Sequence, residues 1–275
     1  MSDTRPEGLQ KIKHIVAVAS GKGGVGKSTT TVNMALAMSK AGFKVGILDA
    51  DIYGPSQGLM LGIAEGSRPE TMGEKWFVPI QSHGVSVMSM AFLVDANTPM
   101  VWRGPMAAGA LQQMLLQTQW GELDYLFVDM PPGTGDIQLT LCQKAQVSGA
   151  VIVTTPQDLA LLDARKGIEM FNKVNVPVLG VVENMSTHVC SQCNHEEAIF
   201  GAGGGTALAQ EYGTQLLANL PLSMAIRVLV DSGTPTVVAE PESAAAKTYE
   251  QLAHTLVAQL EGTTQSMPSI SIDED

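Results

Sequence analysis

Apolar residues in this chain come in short bursts, and the bursts alternate between two periods. Residues 14–20 read His-Ile-Val-Ala-Val-Ala-Ser, the unbroken apolar run of a strand buried on both faces. A Gly-rich stretch follows at once. From residue 27 to about 41, Met34, Leu36, Ala37 and Met38 recur at helical spacing until Gly42 offers a stop. Residues 45–49 read as a second buried strand, and further strand patterns fall at 85–90, 125–130, 150–155, 178–182 and 216–220. Helical patterns occupy 106–118, 137–145, 163–174, 206–212 and 243–260. This alternation predicts an α/β fold, a mainly parallel β-sheet flanked by helices on both faces. The expected organisation is a short N-terminal extension over 1–13, one domain over 14–261, and a flexible acidic tail over 262–275 that is too polar to fold alone. Residues 64–81 form a polar excursion containing Gly and Pro, which suits a surface insertion.

Composition narrows the picture. Of 275 residues 45% are apolar, enough for a packed core, and the formal net charge is −11. That charge opposes nonspecific attraction to nucleic acid or to anionic lipid. No run of 18 apolar residues occurs, and the first residues lack the apolar stretch of a secretion signal, so the expectation is a cytoplasmic protein without a membrane or nucleic-acid partner. Three cysteines are too few for a disulfide framework in such a chain.

The Gly-rich stretch carries chemistry. Gly21, Lys22, Gly23, Gly24, Val25, Gly26, Lys27 and Ser28 fit the P-loop pattern between a strand and a helix, where backbone N–H groups converge on phosphate oxygens at a helix N-terminus. In that pattern Lys27 contacts the outer phosphates and Ser28 offers its hydroxyl to Mg2+. The stretch from Lys22 to Thr29, with a second lysine inside the loop, resembles the deviant Walker A family of dimerising ATPases. The resemblance implies that Lys22 reaches across a two-fold interface to the partner's nucleotide, much as an arginine finger does. It also implies that Asp51, in Asp49-Ala50-Asp51, orients the attacking water, and that Asp129 holds Mg2+ through water. Asp49 and Asp136 suit a capping role better. The loop 130–136 is a candidate switch responding to the γ-phosphate. Asn184 matches the family position that hydrogen-bonds adenine, with Pro221 on the other wall, so ATP is expected rather than GTP. The segment 172–175, Asn-Lys-Val-Asn, lacks the aspartate that a guanine-reading motif needs.

Cys190 and Cys193 stand in a Cys-x-x-Cys flanked by His188 and His195. A redox dithiol, a one-chain zinc site using both histidines, and half of a cluster site shared between two chains are all chemically open. A four-thiolate cluster needs four cysteines, and this chain offers one pair plus the distant Cys142, which suits a small buried residue. A two-fold dimer would supply the missing pair. The segment 183–186, the cysteine pair, residues 199–205, and the stretches 103–106 and 129–136 together resemble the Mrp/ApbC group of iron-sulfur cluster carriers. That resemblance implies a homodimer that holds a [4Fe-4S] cluster on both copies of Cys190 and Cys193, receives it from donor proteins and passes it to apoproteins. The ATPase core of MinD- or ParA-like positioning proteins shares the P-loop, Lys22 and Asp51. Against that alternative, the chain has no basic amphipathic C-terminal helix and no Lys/Arg cluster for DNA. A small-molecule kinase would leave the cysteine pair idle. Arg103 remains open between phosphate, interface and turn roles.

Overall fold

The computed structural model describes residues 5–73, 75–93, 104–190, 192–193 and 195–265, and in it the apolar bursts become the interior of an eight-stranded sheet. The chain runs β1 (Ile12–Ala19), α1 (Lys27–Lys40), β2 (Val45–Asp49), α2 (Gln57–Met60), a hairpin of β3 (Glu70–Met72) and β4 (Trp76–Val78), then β5 (Ile80–Ser82) and β6 (Val85–Ser89). It continues through α3 (Gly104–Leu116), β7 (Leu123–Asp129), α4 (Asp136–Ala145), β8 (Gly149–Thr154), α5 (Asp158–Lys173) and β9 (Val178–Glu183). A second small hairpin, β10 (His188–Val189) with β11 (Glu196–Glu197), precedes α6 (Gly204–Glu211), β12 (Leu216–Asn219), α7 (Met224–Asp231), α8 (Thr236–Ala239) and α9 (Ala244–Gln265).

Across the sheet the order is β12-β9-β8-β1-β7-β2-β6-β5, and every pairing is parallel except β5 with β6. Parallel strands need helical crossovers, and the helices bury the strands on both faces. Accordingly all of β2 and β8, and β1 from Ile15 onward, are buried. Helices α1, α8 and α9 pack together, while α5 lies on β8 and α6, and α3 on α4. Asn33 of α1 ties α8 down, its Oδ1 accepting from the Val237 N–H at 3.2 Å. Because β1 lies between β7 and β8, the chain moves one way from β1 to β2 and the other way from β7 to β8. The crevice at the C-terminal ends of β1 and β7 is therefore a topological switch point, where sheets of this kind take ligands.

Several boundaries differ from the sequence expectation. The stretch 64–81 is more than a surface insertion. It supplies the β3–β4 hairpin and most of β5, the antiparallel edge of the main sheet, and Phe77 is bonded through its backbone to Gln117 and Gln119. The domain also begins before residue 14, since β1 starts at Ile12 and Leu9 in the preceding turn is fully buried. At the other end α9 continues past 261 to Gln265, because adding a turn to a helix already docked on α1 costs little. The rest of the expected tail, 266–275, lies outside the described residues, as do Arg103 and residues 1–4 of the expected extension.

Candidate functional site

The phosphate loop leaves β1 at Ser20 and enters α1 at Lys27. Gly26 caps α1 with φ at +83°, a left-handed conformation that glycine adopts without steric cost. A Cβ there would also collide with the Asn184 amide nitrogen, and one at Gly21 would strike the backbone of Asp163 in α5. Two glycines thus let the loop pass tightly between β9 and α5. Asn184 completes the clamp, its Nδ2 donating to the Val25 carbonyl oxygen at 2.8 Å. Lys22 is half-buried, and its carbonyl accepts from Ser20 Oγ at 2.9 Å. Gly23 and Gly24 are exposed, while Ser28 and Thr29 are half-buried at the start of α1.

Lys27, 6% exposed, meets the fully buried Asp129 at 2.6 Å, and its Nζ also donates to Ser28 Oγ at 3.1 Å. Asp129 ends β7 beside the loop because β7 pairs with β1 in parallel register. Its Oδ1 accepts from Thr31 Oγ1 at 3.1 Å, and its Oδ2 from Gln57 Nε2 at 2.8 Å. Asp49 ends the neighbouring β2, fully buried. It anchors the turn into α2, where Oδ2 accepts from the Ser56 and Gln57 N–H groups at 2.9 and 3.0 Å and from Ser89 Oγ at 3.1 Å. Burial, and then the nearby Asp129 carboxylate, push the Asp49 carboxyl up to about 7. Lys27 opposes that rise as the local counter-charge. Asp51 is half-buried, and its Oδ1 accepts from the Gly54 N–H at 3.3 Å. After Asp129 the loop 130–136 is tied back to β1, Met130 N–H bonding Val18 O and Gly133 N–H bonding Ser20 O. Gln138 Nε2 holds the Pro131 and Pro132 carbonyl oxygens at 3.2 and 3.1 Å.

Beyond Asn184 the chain forms the β10–β11 hairpin with the cysteine pair at its tip. Its base is fastened to the end of β12, where Ser186 N–H bonds Leu220 O and Leu222 N–H bonds Thr187 O, so Asn184 and Pro221 stand on adjacent strand ends. Cys190 is half-buried and Cys193 exposed. The Cys190 N–H donates to His195 O at 2.9 Å. The Gln192 N–H, then the Cys193 N–H and thiol, bond the Cys190 sulfur and hold its pKa below the ordinary thiol value. His188 is occupied, its Nδ1 lying 3.0 Å from Leu222 O. Among the described residues no three His, Cys, Asp or Glu side chains gather as ligands for one metal ion. Cys142 is buried in α4, and burial pushes its thiol up to about 12.

A phosphate loop, paired acids and a thiol hairpin on one parallel sheet agree with the comparison by family, in which the model described as ParA, NUBPL iron-transfer P-loop NTPase, matches residues 11–257. The chain belongs to this family. An iron-sulfur cluster carrier protein of Pseudomonas fragi is 68% identical over 248 residues, covering 90% of this chain and 86% of that one. The ADP complex of a nucleotide-binding protein from Archaeoglobus fulgidus, in which cobalt was found, is 39% identical and superposes with a TM-score of 0.75 over 88% of this chain and 94% of the other. MinD of Pyrococcus horikoshii with Mg-ADP has a TM-score of 0.69 over 92% of this chain and 99% of that one at 23% identity, a likeness of fold. In this iron-transfer P-loop NTPase Lys27 bonds both Ser28 and Asp129, and the cysteine pair lies on a separate hairpin. Sequence reasoning passed over Gln57, Ser89, Thr31 and Gln138. Each is an uncharged residue in no motif, and only the folded sheet brings it to the acids or to the loop after them. Among the described residues no helix is long and apolar enough to cross a membrane.

Proposed function

We propose that this chain hydrolyses ATP at the P-loop and carries an iron-sulfur cluster, of [4Fe-4S] type, as cargo between two copies of itself, taking it from donor proteins and handing it to apoproteins. The observation that carries this reading is the hairpin. It presents two thiols, one of them already hydrogen-bonded by backbone N–H groups as a thiolate would be, with no third ligand beside them among the described residues. A second copy related by a two-fold axis brings the other two thiolates.

At the phosphate site the chain's own groups suggest the sequence of events. Lys27 bonds Asp129, so binding of the phosphates exchanges one anionic partner for another. Loop N–H groups and Lys27 then hold the phosphates, while Asn184 and Pro221 flank the adenine. Mg2+ suits the donor set, since Ser28 Oγ and the Asp129 carboxylate are hard oxygens and the buried Gln57 Oε1 lacks a partner. Ser28 would hold it directly and Asp129 through water, and when bound it neutralises charge building on the phosphate oxygens. Asp51 orients water for attack on the γ-phosphorus, the bond to the bridging oxygen breaks, and ADP and phosphate leave. Lys22 of the second copy completes the charge stabilisation.

Anaerobic reconstitution with iron and sulfide, followed by optical and Mössbauer spectra, tests the cargo. About four iron atoms per pair of chains are expected, falling to background in Cys193→Ala. A normal cluster in that variant would remove the bridging model.

A further inference from the structure

Gln57 belongs to no motif, yet its side chain is fully buried at the junction of the phosphate loop and the acids. Its Nε2 donates to Asp129 Oδ2 at 2.8 Å and to the Ser28 carbonyl oxygen at 3.1 Å. Both partners are acceptors, so the network itself identifies the nitrogen end of the amide. That leaves Oε1 buried without a hydrogen-bond partner, and Ser56 Oγ beside it in sequence is in the same position. An acceptor shut away from water and left unpaired is costly, and a native protein retains one where a partner arrives later. Oε1 shares its carbon with Nε2, which places it within about 5 Å of the Asp129 carboxylate. What it lacks is a donor.

Mg2+ keeps several of its waters when it binds with a nucleotide, and their O–H bonds are strongly polarised donors. We infer that Gln57 is a positioning residue for the magnesium-nucleotide complex, its Oε1 accepting from a magnesium-bound water while its Nε2 holds the Asp129 carboxylate turned toward the same shell. The inference rests on the nucleotide-site reading above. It also ties the metal to the water-orienting loop. The Gln57 N–H is bonded to Asp49 Oδ2 at 3.0 Å, and the Asp51 N–H to Asp49 Oδ1 at 3.3 Å, so one buried carboxylate fastens both residues.

The test is binding of a fluorescent ADP analogue to the full chain, measured in EDTA and along a Mg2+ titration. Wild type should bind more tightly as Mg2+ rises. Gln57→Leu should raise the half-saturating Mg2+ concentration about ten-fold, the worth of one hydrogen bond from a charged centre, with affinity in EDTA nearly unchanged. Gln57→Met keeps the length without the amide and carries the same expectation, so the test survives if the leucine variant fails to fold. Equal Mg2+ half-points in wild type and variant overturn the inference. So does a loss of affinity in EDTA as large as the loss in Mg2+, which would mark a packing role. Wild type that binds no nucleotide even with Mg2+ is a separate failure, that of the nucleotide site itself.

Discussion

Lys27 and Asp129 are both buried and bonded to each other. Removing one member of such a pair leaves a buried charge uncompensated, which is far more costly than the net worth of the pair. Lys27→Met should therefore lower unfolding free energy by about 3 kcal/mol in chemical denaturation of the nucleotide-free protein, besides reducing phosphate release by about a hundred-fold or more. Unchanged stability would mean that Asp129 takes up a proton or a water in place of the lysine. The cysteines divide just as sharply. Burial pushes Cys142 up to about 12, so at pH 8 it holds almost no thiolate, the form that reacts. Iodoacetamide at that pH should label Cys190 and Cys193 in the folded chain and reach Cys142 only in denaturant, with peptide mass spectrometry as the readout. Labelling of Cys142 in the native protein would contradict its packing in α4. Lys27 and Asp129 were legible in the sequence because one lies in a spaced motif and the other ends an apolar strand run. Gln57 was not, since its role depends on a carboxylate 72 positions away.

The elements are held to the site by a few cross-links. Asn184, at the end of β9, is the stay that keeps the phosphate loop against the sheet, with its Nδ2 on Val25 O in a buried hydrogen bond. Asn184→Ala leaves that carbonyl unpaired, a loss of roughly 1–3 kcal/mol. Amide hydrogen exchange across residues 21–28 should quicken in the nucleotide-free variant, while exchange in β8 stays slow. Loop exchange no faster than in wild type would show that the glycine turns suffice alone. The long elements followed from pattern, for an apolar run or a helical period is a local property. The short ones did not. β5 has three residues and gains its stability from pairing with β6, and α7 and α8 are packed between other helices, so no local signal marks them. α5 begins at Asp158 rather than 163 because its first turn, Asp158 with the exposed Leu159, breaks the apolar period.

For the whole molecule, the proposed pairing of two chains draws on two features from different parts of the fold. The cysteine hairpin lacks ligands, and Lys22 is half-buried without an ion-pair partner among the described residues. Sedimentation under anaerobic conditions should show cluster loading converting single chains to pairs, and Lys22→Ala should keep the loaded pair while slowing hydrolysis by about a thousand-fold, as loss of a charge supplied in trans does. Pairs that form equally well without cluster would detach the assembly from the hairpin. The sequence by itself determined the mainly parallel α/β sheet, the phosphate loop between β1 and α1, and the thiol pair, because apolar period, glycine spacing and cysteine spacing are written within a few consecutive residues. Tertiary structure alone decided that Lys27 closes on Asp129, 102 positions on, that Asn184 clamps a loop 159 positions before it, and that Gln57 bonds the Asp129 carboxylate. Those contacts are made by the order of strands in the sheet, and strand order is set by how helices pack across it, which no short stretch of chain encodes.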